Sequence, residues 1–300
     1  MGSYELGVIF ALFSVFGTAG NRVLLSKPLT HVDSRFATYL ASLVGVALLF
    51  AADALLGGIT HMFSAPSWEL ILFCTVGVLN SGVSRLLLYV AIRHLGANQA
   101  ETLQSTTALF AFVFAITLLH EGISIEVLAG GILIVIGSVI VEARLSADNR
   151  RGNPTVGVVS ALLSSLVFAL VLVLIKAGLV SGYSYISAAA ISSIAALAFN
   201  TLLYNPKKLT SDLTTTPRSI IVSMVAASSL IALSQIFRFG AFSYASAVVV
   251  SAIISTSPVL VVALNQAIAN TSEIVKPRTL LSVGLVVVGG MLVSYYSKIG

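Results

Sequence analysis

The chain is predicted to be an all-α integral membrane protein with ten transmembrane helices, built as two inverted five-helix repeats around a central cavity. Three observations carry this prediction. The 300 residues are 57% hydrophobic and only 9% charged, with a mean hydropathy of +1.03, whereas a soluble domain carries about 25% charged residues. The apolar residues form continuous runs such as 128–141 and 280–293, unlike the segments of about ten residues with alternating polarity that make a membrane barrel. Since about 20 apolar residues cross the hydrocarbon core as a helix, a chain of this length supplies on the order of ten crossings. The third observation is an internal repeat, taken up after the elements.

Apolar runs between charged or Pro/Gly-marked breaks place helices near 4–25, 36–56, 69–92, 97–119 and 125–143, then near 155–178, 184–204, 218–242, 246–269 and 279–297. The first run follows Met1–Glu5, which has no basic leader, and no small-residue cleavage site comes after it. It therefore reads as a permanent helix and not as a signal peptide. The third and fourth runs are joined by a tight hairpin around Gly96. Glu142–Pro154 is the most polar stretch away from the chain ends and lies at the centre of the sequence. It divides the chain into a first repeat over 1–145, a linker over 146–154 and a second repeat over 155–300.

A shift of about 150 places Gly7, Ala11, Leu12 and Ser14 onto Gly157, Ala161, Leu162 and Ser164. Near the ends of the halves, Gly131 and Gly137 map onto Gly284 and Gly290, and Glu121 maps onto Glu273. Single Gly or Ala identities between apolar helices arise by chance, so the weight rests on the shared order. Five is an odd number, so two halves of one fold must sit upside down relative to each other, as in many secondary transporters.

Loop charges set the orientation. The connections after helices one, three, five, seven and nine hold Arg22, Lys27, Arg35, Arg93, Arg144, Arg150, Arg151, Lys207, Lys208, Arg218, Lys276 and Arg278, against Lys176 and Lys298 on the other side. The central linker is therefore expected to be cytoplasmic and both termini outside. The net charge of +5 is spread over short loops, so it reads as a topology signal and no nucleic-acid partner is expected. One cysteine, Cys74, cannot form an intramolecular disulfide. There is no HExxH, no paired intramembrane aspartate motif, no Ser/His dyad and no Walker A sequence. No enzyme, ATP-driven pump, metal or other cofactor is expected.

Two stretches, Tyr89–Glu121 (YVAIRHLGANQAETLQSTTALFAFVFAITLLHE) and Phe239–Glu273 (FGAFSYASAVVVSAIISTSPVLVVALNQAIANTSE), resemble the EamA-type members of the drug/metabolite transporter superfamily. In that family each half carries a helix, a small-residue turn, a helix with a central Pro and a terminal Glu, and a Gly-containing helix. The second copy keeps Pro258 and Glu273. The first keeps Glu121 but has Thr107 where the Pro falls, which leaves open whether its fourth helix kinks. Phe16-Gly17 stands where Trp-Gly is common. The resemblance implies a carrier of the multi-pass plasma (inner) membrane of a prokaryote, monomeric or homodimeric. Its cavity is reached alternately from each side, with an amino acid or related small metabolite as the first expectation. An anionic organic or phosphorylated metabolite, or a non-transporting receptor, is the alternative.

Polar residues inside a bilayer cost several kcal/mol unless they face a partner or water, so they are functional candidates. Arg85 lies eight residues before Arg93, about 12 Å deeper along the helix. It suits a carboxylate or phosphate by its planar fork, or forms a structural pair with Glu101. Glu101, Gln104 and Ser105 share one face of the fourth helix. Glu101 reads as the one acid clearly within a span, so any proton partner would act through it. Asn80 gives the third helix a polar middle, with Tyr89 one turn beyond Arg85. Gln235 and Arg238 mark the eighth helix, with Arg238 read as interfacial, and Asn21 closes the first. The paired glycines read as packing residues and Glu121 as a cap.

Overall fold

The computed structural model describes residues 2–58, 62, 66–122, 124–142, 152–269 and scattered positions between 281 and 296. Those residues are helical with short connections, and seven helices are long and apolar enough to cross a membrane. The helices are α1 (Ser3–Ser26), α2 (Ser34–Leu55), α3 (Ser67–Leu95), α4 (Ala97–Ser105), α5 (Thr107–Leu118), α6 (Ile125–Glu142), α7 (Pro154–Leu179), α8 (Tyr185–Leu203), α9 (Leu209–Thr215), α10 (Arg218–Tyr244), α11 (Ala247–Ile254) and α12 (Ser257–Ala269). The first nine predicted segments all appear within a few residues of their expected bounds. The tenth, like the linker around 143–151, Glu273 and Gly290, lies mostly or wholly outside the described residues.

Starts and stops follow local chemistry. The Asp33 carboxylate accepts from the Arg35 amide at 2.7 Å at the start of α2, and Asn153 accepts from Thr155 ahead of Pro154 at the start of α7. These side chains occupy amide donors that a helix start leaves open. The hairpin at Gly96 uses φ +86°, a left-handed conformation natural only to glycine.

Two predicted helices are broken at their middles. The fourth divides into α4 and α5 at Thr106, whose hydroxyl donates to the Leu103 carbonyl at 2.7 Å. The ninth divides into α11 and α12 at Ser255-Thr256, where the Thr256 hydroxyl donates to the Ile253 carbonyl at 2.7 Å. The hydroxyl takes the place of the next amide, which locally ends the ladder. Thr107 in place of proline therefore does not keep the fourth helix straight.

The halves interlock through their first helices. α1 packs chiefly on α10 and also on α11 and α12, while α7 packs on α3, α4 and α5. The Ser234 hydroxyl donates to the Ser14 carbonyl at 2.7 Å, and the two hydroxyls lie 3.0 Å apart. The Ser84 hydroxyl donates to the Ser164 carbonyl at 3.1 Å, and those hydroxyls lie 3.2 Å apart. Ser164 and Ser234 stand 150 positions after Ser14 and Ser84. Small residues let the backbones approach, as bundles in lipid require. A Cβ on Gly77 would collide with the Ser192 carbonyl, and one on Gly130 would come within 2.7 Å of the Gly289 carbonyl. Among the described residues the glycine contact between the ends of the two halves is Gly130–Gly289. Gly131 meets Phe112, and among the described residues nothing lies against Gly284.

At one end of the bundle the turn between α10 and α11 is clasped by two charges. The Glu121 carboxylate accepts from the Ala247 and Val248 amides at 3.0 and 3.2 Å, so it caps α11, a helix of the other half. The Lys176 ammonium donates to the Phe242 and Ala245 carbonyls at 3.0 and 2.9 Å. Each charge sits at the helix end whose dipole favours it.

Candidate functional site

The polar residues converge where α1, α3, α4, α7, α10 and α12 meet. α3 carries a π-helical segment at Val78–Ser84 immediately before Arg85. Such bulges are frequent at functional sites. Two small adjoining hollows open there, each with room for about one water molecule. One is lined by Glu101, Ser105, Ser255, Ser257 and Pro258 among others, and the second by Asn80, Ser84, Arg85, Ile231 and Arg238. Arg22, Gln104 and Phe168 line both.

Glu101 is 1% exposed and accepts from two sides. Its Oε1 takes the Arg22 Nε–H in an ion pair, and its Oε2 takes the Ser257 hydroxyl at 2.8 Å. Arg22 also donates through Nη1 to the Asn21 side-chain carbonyl at 3.1 Å, while the Asn21 amide donates to the Ala227 carbonyl at 2.8 Å. Three helices, α1, α4 and α12, are therefore tied through one carboxylate.

Arg85 and Arg238 are 8% and 3% exposed, and among the described residues neither has a carboxylate within ion-pair distance. Arg238 lies over the Phe168 ring, 5.1 Å from its guanidinium carbon to the centroid, an attraction the ring quadrupole supplies. Among the described residues Arg238 Nε, Asn80 Nδ2, Gln104 Oε1 and Ser255 Oγ are buried without a hydrogen-bond partner. Buried polar groups are ordinarily satisfied, and these four line the two hollows.

The structure thus brings Arg85, Glu101, Gln104, Asn80, Ser105 and Arg238 into one cavity. It does not bring the others there. Asn21 acts behind Arg22, and Tyr89 and Gln235 are buried without lining either hollow. Four readings are corrected. Arg238 is not interfacial, because α10 continues to Tyr244 beyond it. Arg22 is not a loop charge, because α1 continues to Ser26 and the side chain turns inward. Glu101 pairs with Arg22 and not with Arg85. Nor is it the only buried acid. Asp53 in α2 is 1% exposed and takes the Ser187 hydroxyl at 2.7 Å, and Glu69 in the first turn of α3 is also buried. Phe168 escaped the sequence reading, since an aromatic in an apolar run carries no signal of its own, whereas Ser257 belongs to the Ser255–Ser257 run that precedes Pro258.

The helical bundle defines an integral, multi-pass membrane protein. Residues 5–142 match the model of the EamA-like transporter family, which belongs to the drug/metabolite transporter superfamily. Its members are transporters, not enzymes. No curated protein matches the chain. A solved structure titled only "Crystal structure of protein" superposes with a TM-score of 0.74 at 14% identity, covering 97% of this chain and 98% of its own. That likeness carries the fold alone.

Proposed function

We propose that the protein is a secondary carrier that moves a small organic anion of about two negative charges by alternating access through the central cavity. The observation that carries this reading is the pair of buried guanidiniums, Arg85 and Arg238, left without counter-ions once Glu101 is engaged by Arg22. A guanidinium stays protonated in proteins. An unpaired charge away from water costs several kcal/mol, so such groups sit beside a partner or a water-filled path. A phosphate monoester or a dicarboxylate supplies two charges and planar or tetrahedral oxygens that a guanidinium grips. A zwitterionic amino acid needs a free carboxylate for its ammonium. Glu101 is the acid in the cavity lining, and its oxygens are taken by Arg22 and Ser257.

The same reading takes residues 1–145 and 155–300 as inverted five-helix repeats joined at 146–154, ten helices in all. The recurrence of the serine pairs and of the two threonine breaks at a shift of 150 supports it. The linker is placed in the cytoplasm by the charge count, from which Arg22 is now withdrawn. The carrier works without ATP, in a prokaryotic plasma membrane.

Counterflow in proteoliposomes tests the substrate class. Preloaded phosphate esters or dicarboxylates are expected to drive uptake of their labelled forms, and amino acids are not. Arg85→Gln is expected to raise the KM at least tenfold. Flux of amino acids alone, or unchanged anion flux in the variant, overturns the reading.

A further inference from the structure

Arg22 stands between two anions: the Glu101 carboxylate, which it holds now, and the ligand that Arg85 and Arg238 await. It is the residue that lines both hollows and carries a charge, and its ion pair with Glu101 lies on the side of the first hollow, with the second on its other flank. We propose that Glu101 is the proton site that couples transport, and that it is read through Arg22. An anion seated against Arg85 and Arg238 draws Arg22 away from Glu101, and the carboxylate released from its guanidinium takes up a proton. This rests on the anion reading above.

The coupling has a definite sign. Protonating Glu101 removes its charge and frees Arg22 for the ligand. Seating an anion on Arg22 strips Glu101 of its counter-ion and adds a second negative charge nearby, and both changes favour the protonated acid. Proton and anion therefore strengthen each other's binding, and by linkage each does so by the same factor. A carrier that reorients with both bound is a proton–anion symporter. The proton enters from the aqueous side to which the cavity is open, adds to a Glu101 carboxylate oxygen, and leaves to the opposite side when the anion departs and Arg22 returns.

The surroundings of Glu101 leave this role to it. α1 contributes Arg22. α3 contributes Arg85 and Tyr89, with Arg93 and His94 at its end, and α10 adds Arg238 across Phe168. α7 carries Lys176, which is engaged at the far end with the carbonyls of α10 and α11's turn. α6 carries Glu126 and Glu142 at its two ends, and α12 has no titratable residue. Within the cavity lining the acid is Glu101. Ser257, donating to Oε2 at 2.8 Å, holds the carboxylate in place while Arg22 moves, because that bond does not depend on the ligand.

The test begins on the unaltered protein in detergent, with malate as the probe, a dicarboxylate that is fully ionised near neutral pH and so releases no proton of its own on binding. Binding in a weakly buffered solution containing a pH indicator is expected to take up close to one proton per anion. The apparent affinity is expected to weaken by about 5- to 150-fold as the pH rises. In liposomes, an inward proton gradient is expected to drive anion accumulation. Glu101→Gln is expected to lose the gradient effect and the pH dependence of affinity, whatever its absolute rate. If no anion binds or exchanges at any pH, the anion reading itself fails. If anions exchange but binding takes up no proton, or the folded Glu101→Gln protein keeps its gradient response, the anion reading stands and the coupling proposal is overturned. Should Glu101→Gln not fold, the proton-uptake measurement on the unaltered protein decides alone.

Discussion

Arg238 lies over the face of Phe168, its guanidinium carbon 5.1 Å from the ring centroid, and its Nε has no hydrogen-bond partner among the described residues. The ring holds the cation without neutralising it, which leaves the guanidinium edge open to an anion. Replacing Phe168 by Leu removes an attraction of about 0.5–2 kcal/mol. The expected result is an anion KM raised about 2- to 30-fold, with Arg238→Gln more severe. Counterflow kinetics on the purified variants measure both.

The cross-half serine pairs are expected to be energetically alike. The Ser84 and Ser234 hydroxyls each bond both a backbone carbonyl and a partner hydroxyl in the interior. Ser84→Ala and Ser234→Ala should each cost about 0.6 kcal/mol, the usual worth of such bonds between membrane helices. Thermal unfolding in detergent, followed by size-exclusion, reads the two losses side by side, and very unequal shifts would count against equivalent roles.

Gly77 has the Ser192 carbonyl where its Cβ would stand. The obstacle is backbone, which cannot rotate aside, so Gly77→Ala is expected to push α3 from α8 at a cost of about 1–3 kcal/mol. Gly45, with open space where its Cβ would lie, is the control. Its alanine variant should unfold at or above the temperature of the unaltered protein.

Glu121 reaches from the end of α5 to two amides of α11. Glu121→Ala leaves both donors open and is expected to lower stability by about 1–2 kcal/mol, whereas Glu121→Gln keeps one acceptor and loses less. Hydrogen exchange at the Ala247 and Val248 amides should rise in the same order.

Orientation has its own check. In a Cys74→Ser background, a cysteine at position 148 is expected to react with a membrane-impermeant thiol reagent only after the cytoplasmic face is exposed. Labelling of intact cells would reverse the assigned orientation.

Most of the architecture was legible in the order of residues, because a helix in lipid must satisfy its own backbone and so shows itself as a long apolar run. The nine runs through 269 and the hairpin at Gly96 were read that way. Ser14 and Ser164 were legible as positions 150 apart in similar surroundings, though not the serines they meet. Residues lining the hollows were legible where a polar group broke an apolar run, as at Arg85, Glu101 and Gln104. They were misread near helix ends. Arg22 and Arg238 each stand within seven residues of a helix terminus, where a charge serves equally as a loop signal or a cavity lining.

Class, helix positions and the stock of buried polar groups follow from local composition, which the bilayer reads one segment at a time. Pairing does not. Whether Glu101 neutralises Arg85 or Arg22, whether Arg238 meets lipid headgroups or Phe168, and which glycine faces which backbone all depend on how helices from the two halves rotate against each other. That rotation is settled by packing among residues as much as 220 positions apart, such as Ser14 and Ser234, because the contacts that fix it exist only once the bundle has closed.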